Sequence, residues 1–193
     1  MANQLNLDEV VHRSKEGTVS KAELARVAEA LKAPEGGDLY RLLYILLRTG
    51  AKEYEDLLAS YIDYSADSQS AALVLGSLCT QWGRFDRYRD RVVEALAGVP
   101  WDFMDDLKRS AISATGEYLM VSSDRSLLER LVGHAESYRD DLIGKFAVEA
   151  LARALGEPAS VAVFPRDETE GALWANKIID RAKKRLTRER AAH

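Results

Sequence analysis

An apolar doublet recurs along this chain at a constant interval of 35 residues. Leu57-Leu58 corresponds to Val92-Val93, which in turn corresponds to Leu127-Leu128. Further along the same segments, two more apolar positions keep this register: Tyr61, Leu96 and Leu131, and then Ile62, Ala97 and Val132. Paired apolar positions four residues apart cover one side of a helix. A period in this range that is built from helix pairs indicates an α-solenoid, in which neighbouring pairs stack because no pair can bury its own apolar side.

The rest of the sequence also has a helical period, and its helix ends are marked by capping residues. Asn6, Ser20, Ser137 and Asp167 are each followed by an acid in the position expected of a first helical turn. Glycines near positions 36, 50, 83, 98 and 156 mark helix ends. The pattern predicts about ten helices joined by short loops. Their approximate ranges are 7–16, 20–32, 38–49, 52–63, 68–82, 86–97, 102–120, 124–136, 139–155 and 168–190. The apolar stretch 161–164 is predicted to be a linker that packs on the preceding helices.

The three doublets resemble those of HEAT-like α-helical repeat proteins, and the resemblance covers about residues 38–156. We therefore expect an all-α fold, a right-handed α-solenoid of stacked antiparallel helical hairpins. The whole chain, 1–193, is expected to form a single domain. Within it, residues 1–36 would form an N-terminal capping hairpin, 37–156 the repeats, and 157–193 a linker followed by a basic C-terminal helix.

Composition narrows the class of protein further. Of 193 residues, 47% are hydrophobic, and the formal net charge is only -4, which argues against disorder. The one cysteine, Cys79, excludes an internal disulfide framework and a multi-cysteine zinc site. The sequence contains no apolar run of membrane-spanning length, and Met1–Leu7 does not have the pattern of a secretory signal. We therefore expect a cytoplasmic protein that does not enter a membrane.

The sequence gives little support for catalysis. Its three histidines do not have metal-binding spacing, and no phosphate-binding glycine motif is present. Cys79 is predicted to be a buried structural thiol. The acidic pairs Asp105-Asp106 and Asp140-Asp141 are explained as first-turn residues at helix starts. We expect no metal, no cofactor and no catalytic residue, although a hydrolase built from two carboxylates stays open.

Charge is distributed unevenly along the chain. Residues 177–193 contain seven Lys and Arg against two Asp and Glu, a charge of +5, so a chain total of -4 leaves -9 for the rest. An acidic body attracts a basic partner and raises its association rate. The predicted partner-binding strip lies opposite the buried doublets, and we place in it Asp56, Asp63, Arg91, Glu94, Glu129 and Arg130. Trp82 and Trp101, near predicted helix ends, are further candidate partner contacts, with packing between helices as the alternative.

These observations favour a non-catalytic protein–protein interaction module whose acidic surface binds a basic protein. One specific form is an immunity protein that neutralises a basic toxin. The alternative is nucleic-acid binding through the basic C-terminal helix, with Lys183, Lys184, Arg185, Arg188 and Arg190 as the contact residues. The acidic charge of the body disfavours this alternative, because the phosphate backbone is bound by dense positive charge.

Overall fold

A computed structural model describes residues 6–34, 37–158 and 160–191 of the chain. All regular structure in these ranges is helical, and none of these residues lies in a strand. A 3₁₀ turn covers Lys52–Tyr54, and a π-helical turn covers Ser77–Gln81. The ten helices of the described ranges are α1 (Leu7–Glu16), α2 (Lys21–Leu31), α3 (Leu39–Thr49), α4 (Glu55–Ala59), α5 (Ser68–Gly76), α6 (Phe85–Ala97), α7 (Asp106–Val121), α8 (Arg125–Ala135), α9 (Leu142–Ala154) and α10 (Glu168–Ala191).

Helix starts coincide with the predicted capping side chains in three places. The Asn6 side chain accepts a hydrogen bond from the backbone N–H of Glu9 at the start of α1. Ser20 and Glu23 form a capping box at the start of α2, in which each side chain accepts from the other residue's N–H. Asp167 accepts from the N–H of Glu170 at 2.9 Å. These bonds satisfy N–H groups that have no partner within the helix.

Two predicted segments differ from the structure. Ser137 does not begin a helix: its hydroxyl donates to Asp141 within a turn, and α9 starts only after Asp141, whose side chain caps it. The segment predicted as one helix over 52–63 is divided into a 3₁₀ turn, the short helix α4 and a further turn. In this segment the Glu55 side chain points inward. Its carboxylate binds Arg84, which immediately precedes α6, and Arg87 and Tyr88 of α6. The prediction of a continuous helix used only the local sequence pattern, which contains no information about these long-range bonds.

The helices pack in an order that follows the chain. α3 contacts α5, α5 contacts α7, and α7 contacts α9, which makes one row. The helix that follows each of the first three members packs on the next one: α4 on α5, α6 on α7, and α8 on α9. α1 and α2 pack on α3 at one end of this row, and α10 packs on α8 and α9 at the other.

The core contains the doublets that define the 35-residue interval. Leu58, Val92, Leu127 and Leu128 are completely buried, and Val93 is partly buried. Burying an aliphatic side chain of this size contributes roughly 1.5–3 kcal/mol. The doublets therefore face the interior, as the repeat predicts.

Several hydrogen bonds between successive segments join residues that are 30 to 38 positions apart. Trp82 Nε1 donates to the carbonyl oxygen of Leu47, 35 residues earlier. The Ser110 hydroxyl donates to the carbonyl oxygen of Ala72, 38 residues earlier. Tyr61, through its hydroxyl, bonds the Leu31 carbonyl across 30 residues. These separations lie on both sides of the 35-residue interval of the apolar pattern.

α7 and α9 approach most closely at a glycine. A Cβ placed on Gly116 would lie 2.7 Å from the carbonyl oxygen of Ala150 and 2.9 Å from its Cα. Contacts this short are sterically forbidden, so only glycine allows the two backbones this distance. Residue 116 thus fixes the spacing of two adjacent members of the row.

The segment between α9 and α10 has no regular structure where it is described. Ala162 is buried, and Phe164 packs against the rings of Tyr138 and Trp174, but Val161 and Val163 are exposed. The predicted packing of this linker therefore applies to alternate residues only. None of the helices in the described ranges has the length and apolar character needed to cross a bilayer.

Candidate interaction surface

A buried carboxylate joins α4 to α6. Glu55 is only 6% exposed, and its oxygens accept from Arg87 Nη1 at 2.8 Å and from the Tyr88 hydroxyl at 3.0 Å. Arg84 Nε donates to the same carboxylate at 3.2 Å. Burial is the main cause that raises the pKa of Tyr88 to about 12, and the bond to Glu55 adds to it. The three donors compensate the cost of placing a charge in the interior.

Next to this junction, the first part of the predicted strip is exposed and ion-paired. Asp56 accepts from Arg87 Nη2 at 2.7 Å. Arg91 lies between two carboxylates, 2.8 Å from Asp63 and 3.0 Å from Glu94. The structure therefore brings Asp63, in the turn after α4, and Glu94 together at Arg91, and it places Asp56 at Arg87, one turn earlier on α6.

The other two residues of the strip lie on α8. Glu129 pairs with Arg125, one turn earlier, at 2.8 Å, and Arg130 is exposed. In the described ranges, no hydrogen bond or ion pair joins Glu129 to Asp56, Asp63 or Glu94, or to their arginine partners. Every carboxylate of the strip has an arginine partner, so the strip is a mixed-charge surface, and the acidic excess of the body lies elsewhere.

A partly buried ion pair connects α6 to the start of α8. Arg89 Nη2 lies 2.7 Å from Asp124 Oδ2, and Asp124 also caps α8 by accepting from the N–H of Leu127. Burial alone would raise the pKa of Asp124, but the bonds from Arg89 and from the helix N–H groups hold it below its ordinary value. Together with the Glu55 junction, this pair fixes α6 relative to the helices before and after it.

Both tryptophans of the prediction are partly buried and pack against the core. The Trp82 indole donates to a backbone carbonyl of α3, which is a structural contact. Trp101 lines a cleft beside Phe103 and Met104, which are 88% and 74% exposed. Trp82 thus has a packing role in the structure, whereas Trp101 adjoins exposed apolar surface.

The basic C-terminal helix is only partly available to a ligand. Arg185 is held inside: its guanidinium donates to the carbonyl oxygens of Leu119, Ser122 and Ala154 at 3.2, 2.9 and 3.0 Å. Lys183 pairs with Glu136 at 2.6 Å, a bond that raises the pKa of the ammonium group.

Two of the five nucleic-acid candidates, Lys184 and Arg188, are exposed and have no hydrogen bond or ion pair to the described residues. The side chain of Arg190 lies outside the described part of the structure. The surface available to a nucleic acid on this helix is therefore smaller than the count of basic residues indicates.

Two carboxylates that the sequence analysis did not single out line a cleft of about 340 Å³ between α6 and α7. These are Asp86 and Glu117, and both are exposed. Asp86 accepts the Tyr118 hydroxyl at 2.7 Å. Unlike the carboxylates of the strip, neither has an ion-pair partner in the described ranges. A sequence signal was available, because positions 114, 117, 118 and 121 share one face of α7, but nothing local indicates that Asp86 faces them.

Asp105 and Asp140, predicted as first-turn residues, instead precede α7 and α9, and the Asp105 side chain makes no capping hydrogen bond. Asp106, Asp141 and His134 have structural partners. Asp106 accepts from the Ser68 hydroxyl and pairs with Arg109, and Asp141 caps α9. His134 is partly buried, and its Nε2 lies 3.0 Å from the Leu96 carbonyl oxygen. Burial lowers the pKa of this imidazole, and the nearby Lys108 lowers it further.

Within the described ranges, no group of three or more His, Cys, Asp and Glu residues is arranged to hold a metal ion. Comparison with known proteins gives no relative: no family model matches the chain, and no curated protein or solved structure is significantly similar to it. The functional argument therefore depends on the geometry and charge of this chain alone.

Proposed function

We propose that this chain is a non-catalytic protein-binding module, built as a right-handed α-solenoid of HEAT-like hairpins, and that its partner is a basic protein. The observation that carries this proposal is the repeated interval: polar contacts between successive segments recur at separations of 30, 35 and 38 residues. Stacked units of this kind present one row of helices as an extended binding surface.

Charge supports the choice of partner. The chain outside residues 177–193 has a formal charge of -9, as counted above, while the mixed-charge strip itself is neutralised by arginines. We infer that the acidic body as a whole steers a basic protein towards the surface. The strip then supplies ordered charged groups, because each carboxylate is held in place by an arginine.

Toxin neutralisation is the specific form of this function that the charge favours. Toxin domains that cleave nucleic acid are commonly basic, because they bind phosphate, and an acidic cover would block that surface. The basic C-terminal helix supports the nucleic-acid alternative less well, since Arg185 and Lys183 are bound within the protein.

The test begins with affinity capture by the full-length chain at low salt, followed by reconstitution with each purified captured protein. We expect a stoichiometric complex with a protein of net positive charge, and an association rate that falls as salt rises. Reversing the charges of Asp56, Asp63, Glu94 and Glu129 should slow association and reduce its salt dependence. No reconstituted complex, a partner of net negative charge, or retention of DNA or RNA alone in a filter assay would overturn the proposal.

A further inference from the structure

The walls of the cleft between α6 and α7 combine aromatic rings with carboxylates. Phe85 and Tyr118 are stacked, with ring centroids 4.0 Å apart and planes 10° from parallel. Both rings line the cleft, with Asp86 and Glu117 beside them. Phe85 is only 4% exposed, so the partly buried Tyr118 supplies the accessible aromatic surface and Phe85 supports it from behind. A carboxylate beside an aromatic ring is a favourable environment for an organic cation, which gains from both groups.

The floor of this cleft is neutral and is formed by an irregular turn. Cys79 and Thr80 belong to the π-helical turn Ser77–Gln81 and line the cleft together with Gly83. Burial raises the pKa of the Cys79 thiol to about 12, so the floor adds no negative charge at neutral pH. π-helical turns are frequent at functional sites, where they displace the backbone from regular helical geometry.

The cations near this cleft are already engaged. Arg89, one turn after Asp86 on α6, is bound to Asp124, and Arg84 is bound to Glu55. Asp86 and Glu117 consequently carry negative charge that the described part of the chain does not neutralise. This distinguishes them from the carboxylates of the mixed-charge strip.

We propose that the cleft lined by Phe85, Asp86, Glu117 and Tyr118 is the subsite that receives an arginine side chain of the basic partner. This inference rests on the proposed function and names the residue type that the module recognises. Arginine fits these groups better than lysine does, because its planar guanidinium stacks on aromatic rings and donates two hydrogen bonds to a carboxylate. The cleft volume, about 340 Å³, is sufficient for one such side chain.

The test titrates the purified chain with N-acetyl-arginine amide as the probe. Two-dimensional NMR of the backbone amides monitors binding. We expect saturable shifts confined to the amides around Thr80, Gly83, Asp86 and Glu117. N-acetyl-citrulline amide, which is neutral and nearly the same shape, should cause none of these shifts. The double variant Asp86→Asn, Glu117→Gln should weaken binding about tenfold, as expected for the loss of two exposed charge contacts.

Asp140→Asn removes one negative charge outside the cleft and is the matched control, for which we expect unchanged binding. Glu117→Gln alone alters an exposed side chain with no described bond, so it tests the site without disturbing the Asp86–Tyr118 contact. Equal shifts with citrulline, full binding by the double variant, or shifts spread over the acidic surface would overturn the arginine subsite. A salt-sensitive complex with a basic partner would still support the proposed function in that case, so the two failures are distinguishable.

Discussion

The Tyr88 hydroxyl donates a hydrogen bond of 3.0 Å to the buried Glu55 carboxylate. This contact lies between α4 and α6, where Arg84 and Arg87 bind the same carboxylate. A charge this deeply buried is stable only with several donors. The junction is therefore a structural joint between consecutive segments, and its neighbour Asp56, which shares Arg87, provides a natural comparison.

Replacing Glu55 should destabilise the protein much more than replacing Asp56. Glu55→Ala leaves the buried Tyr88 hydroxyl without its partner and should reduce the free energy of unfolding by about 1–3 kcal/mol. Asp56→Ala removes an exposed ion pair and should change it by less than about 1 kcal/mol. Urea denaturation of both variants measures the two values. Equal effects would contradict a structural role for the Glu55 junction.

Arg185 should contribute to the free energy of unfolding, whereas the adjacent Lys184 should not. Arg185→Met keeps the aliphatic length but removes three bonds to backbone carbonyls of residues 119, 122 and 154. We expect a loss of about 2–3 kcal/mol in the free energy of unfolding and faster amide exchange at the end of α7. Lys184→Met, at an exposed position, should change stability by no more than about 0.5 kcal/mol. Unchanged amide exchange at the end of α7 in Arg185→Met would show that the guanidinium does not stabilise the contact between α10 and α7.

Two glycine-to-alanine substitutions should have opposite effects. Gly116→Ala places a methyl group 2.7 Å from the Ala150 carbonyl oxygen, so α7 and α9 must separate, at a cost of about 1–3 kcal/mol. Gly133→Ala, on the exposed side of α8, meets no atom within 4 Å and should stabilise the protein by about 0.5–1 kcal/mol. Thermal unfolding distinguishes the two variants. A stabilising Gly116→Ala would rule out the close helix approach.

Stability should depend on pH through Glu23. Hydrogen bonds from Ser20 and from Arg13 lower the pKa of this carboxyl from 4.5 to about 2 in the folded protein. A lowered folded-state pKa means that the ionised carboxylate stabilises the fold above pH 4.5, and that this contribution is lost as pH falls towards 2.

The difference in unfolding free energy between the natural chain and Glu23→Gln should therefore be largest at neutral pH and should shrink through that acid window. Urea titrations at a series of pH values measure it. Ser20→Ala removes one of the two partners and should reduce the same pH dependence. A difference that grows as the pH falls would contradict the direction of the shift.

The sequence predicted the helices well where the determining residues are local. Asn6, Ser20 and Asp167 cap helices that begin where their patterns indicate, because a capping bond spans only three residues. Leu58, Val92 and Leu127 are buried as the interval predicts, because helical periodicity fixes which side of a helix is apolar. Both kinds of signal are contained within a few turns of chain.

The features that the sequence did not predict depend on distant partners. In its local sequence Glu55 resembles an exposed acid on a helix. It is buried because its carboxylate binds Arg87 and Tyr88, which lie more than 30 residues away in the chain. The charge pattern predicts Arg185 as a nucleic-acid contact, yet its guanidinium donates to backbone carbonyl oxygens of α7 and α9. Asp86 and Glu117 meet because α6 packs on α7. The mixed-charge strip and the arginine subsite remain predictions until a partner is bound.

The hydrogen bonds of Arg185 to two other helices affect how the protein would unfold under force. Most polar contacts between segments span about one 35-residue interval, so the chain could be unravelled one segment at a time from an end. Arg185 spans 66 residues to Leu119 in addition to 31 residues to Ala154, and so it joins α10 to α7 and α9 at once. Tension applied at the C-terminal end of α10 would load these bonds first, and their rupture would detach this part of α10 from α7 and α9 in the same event.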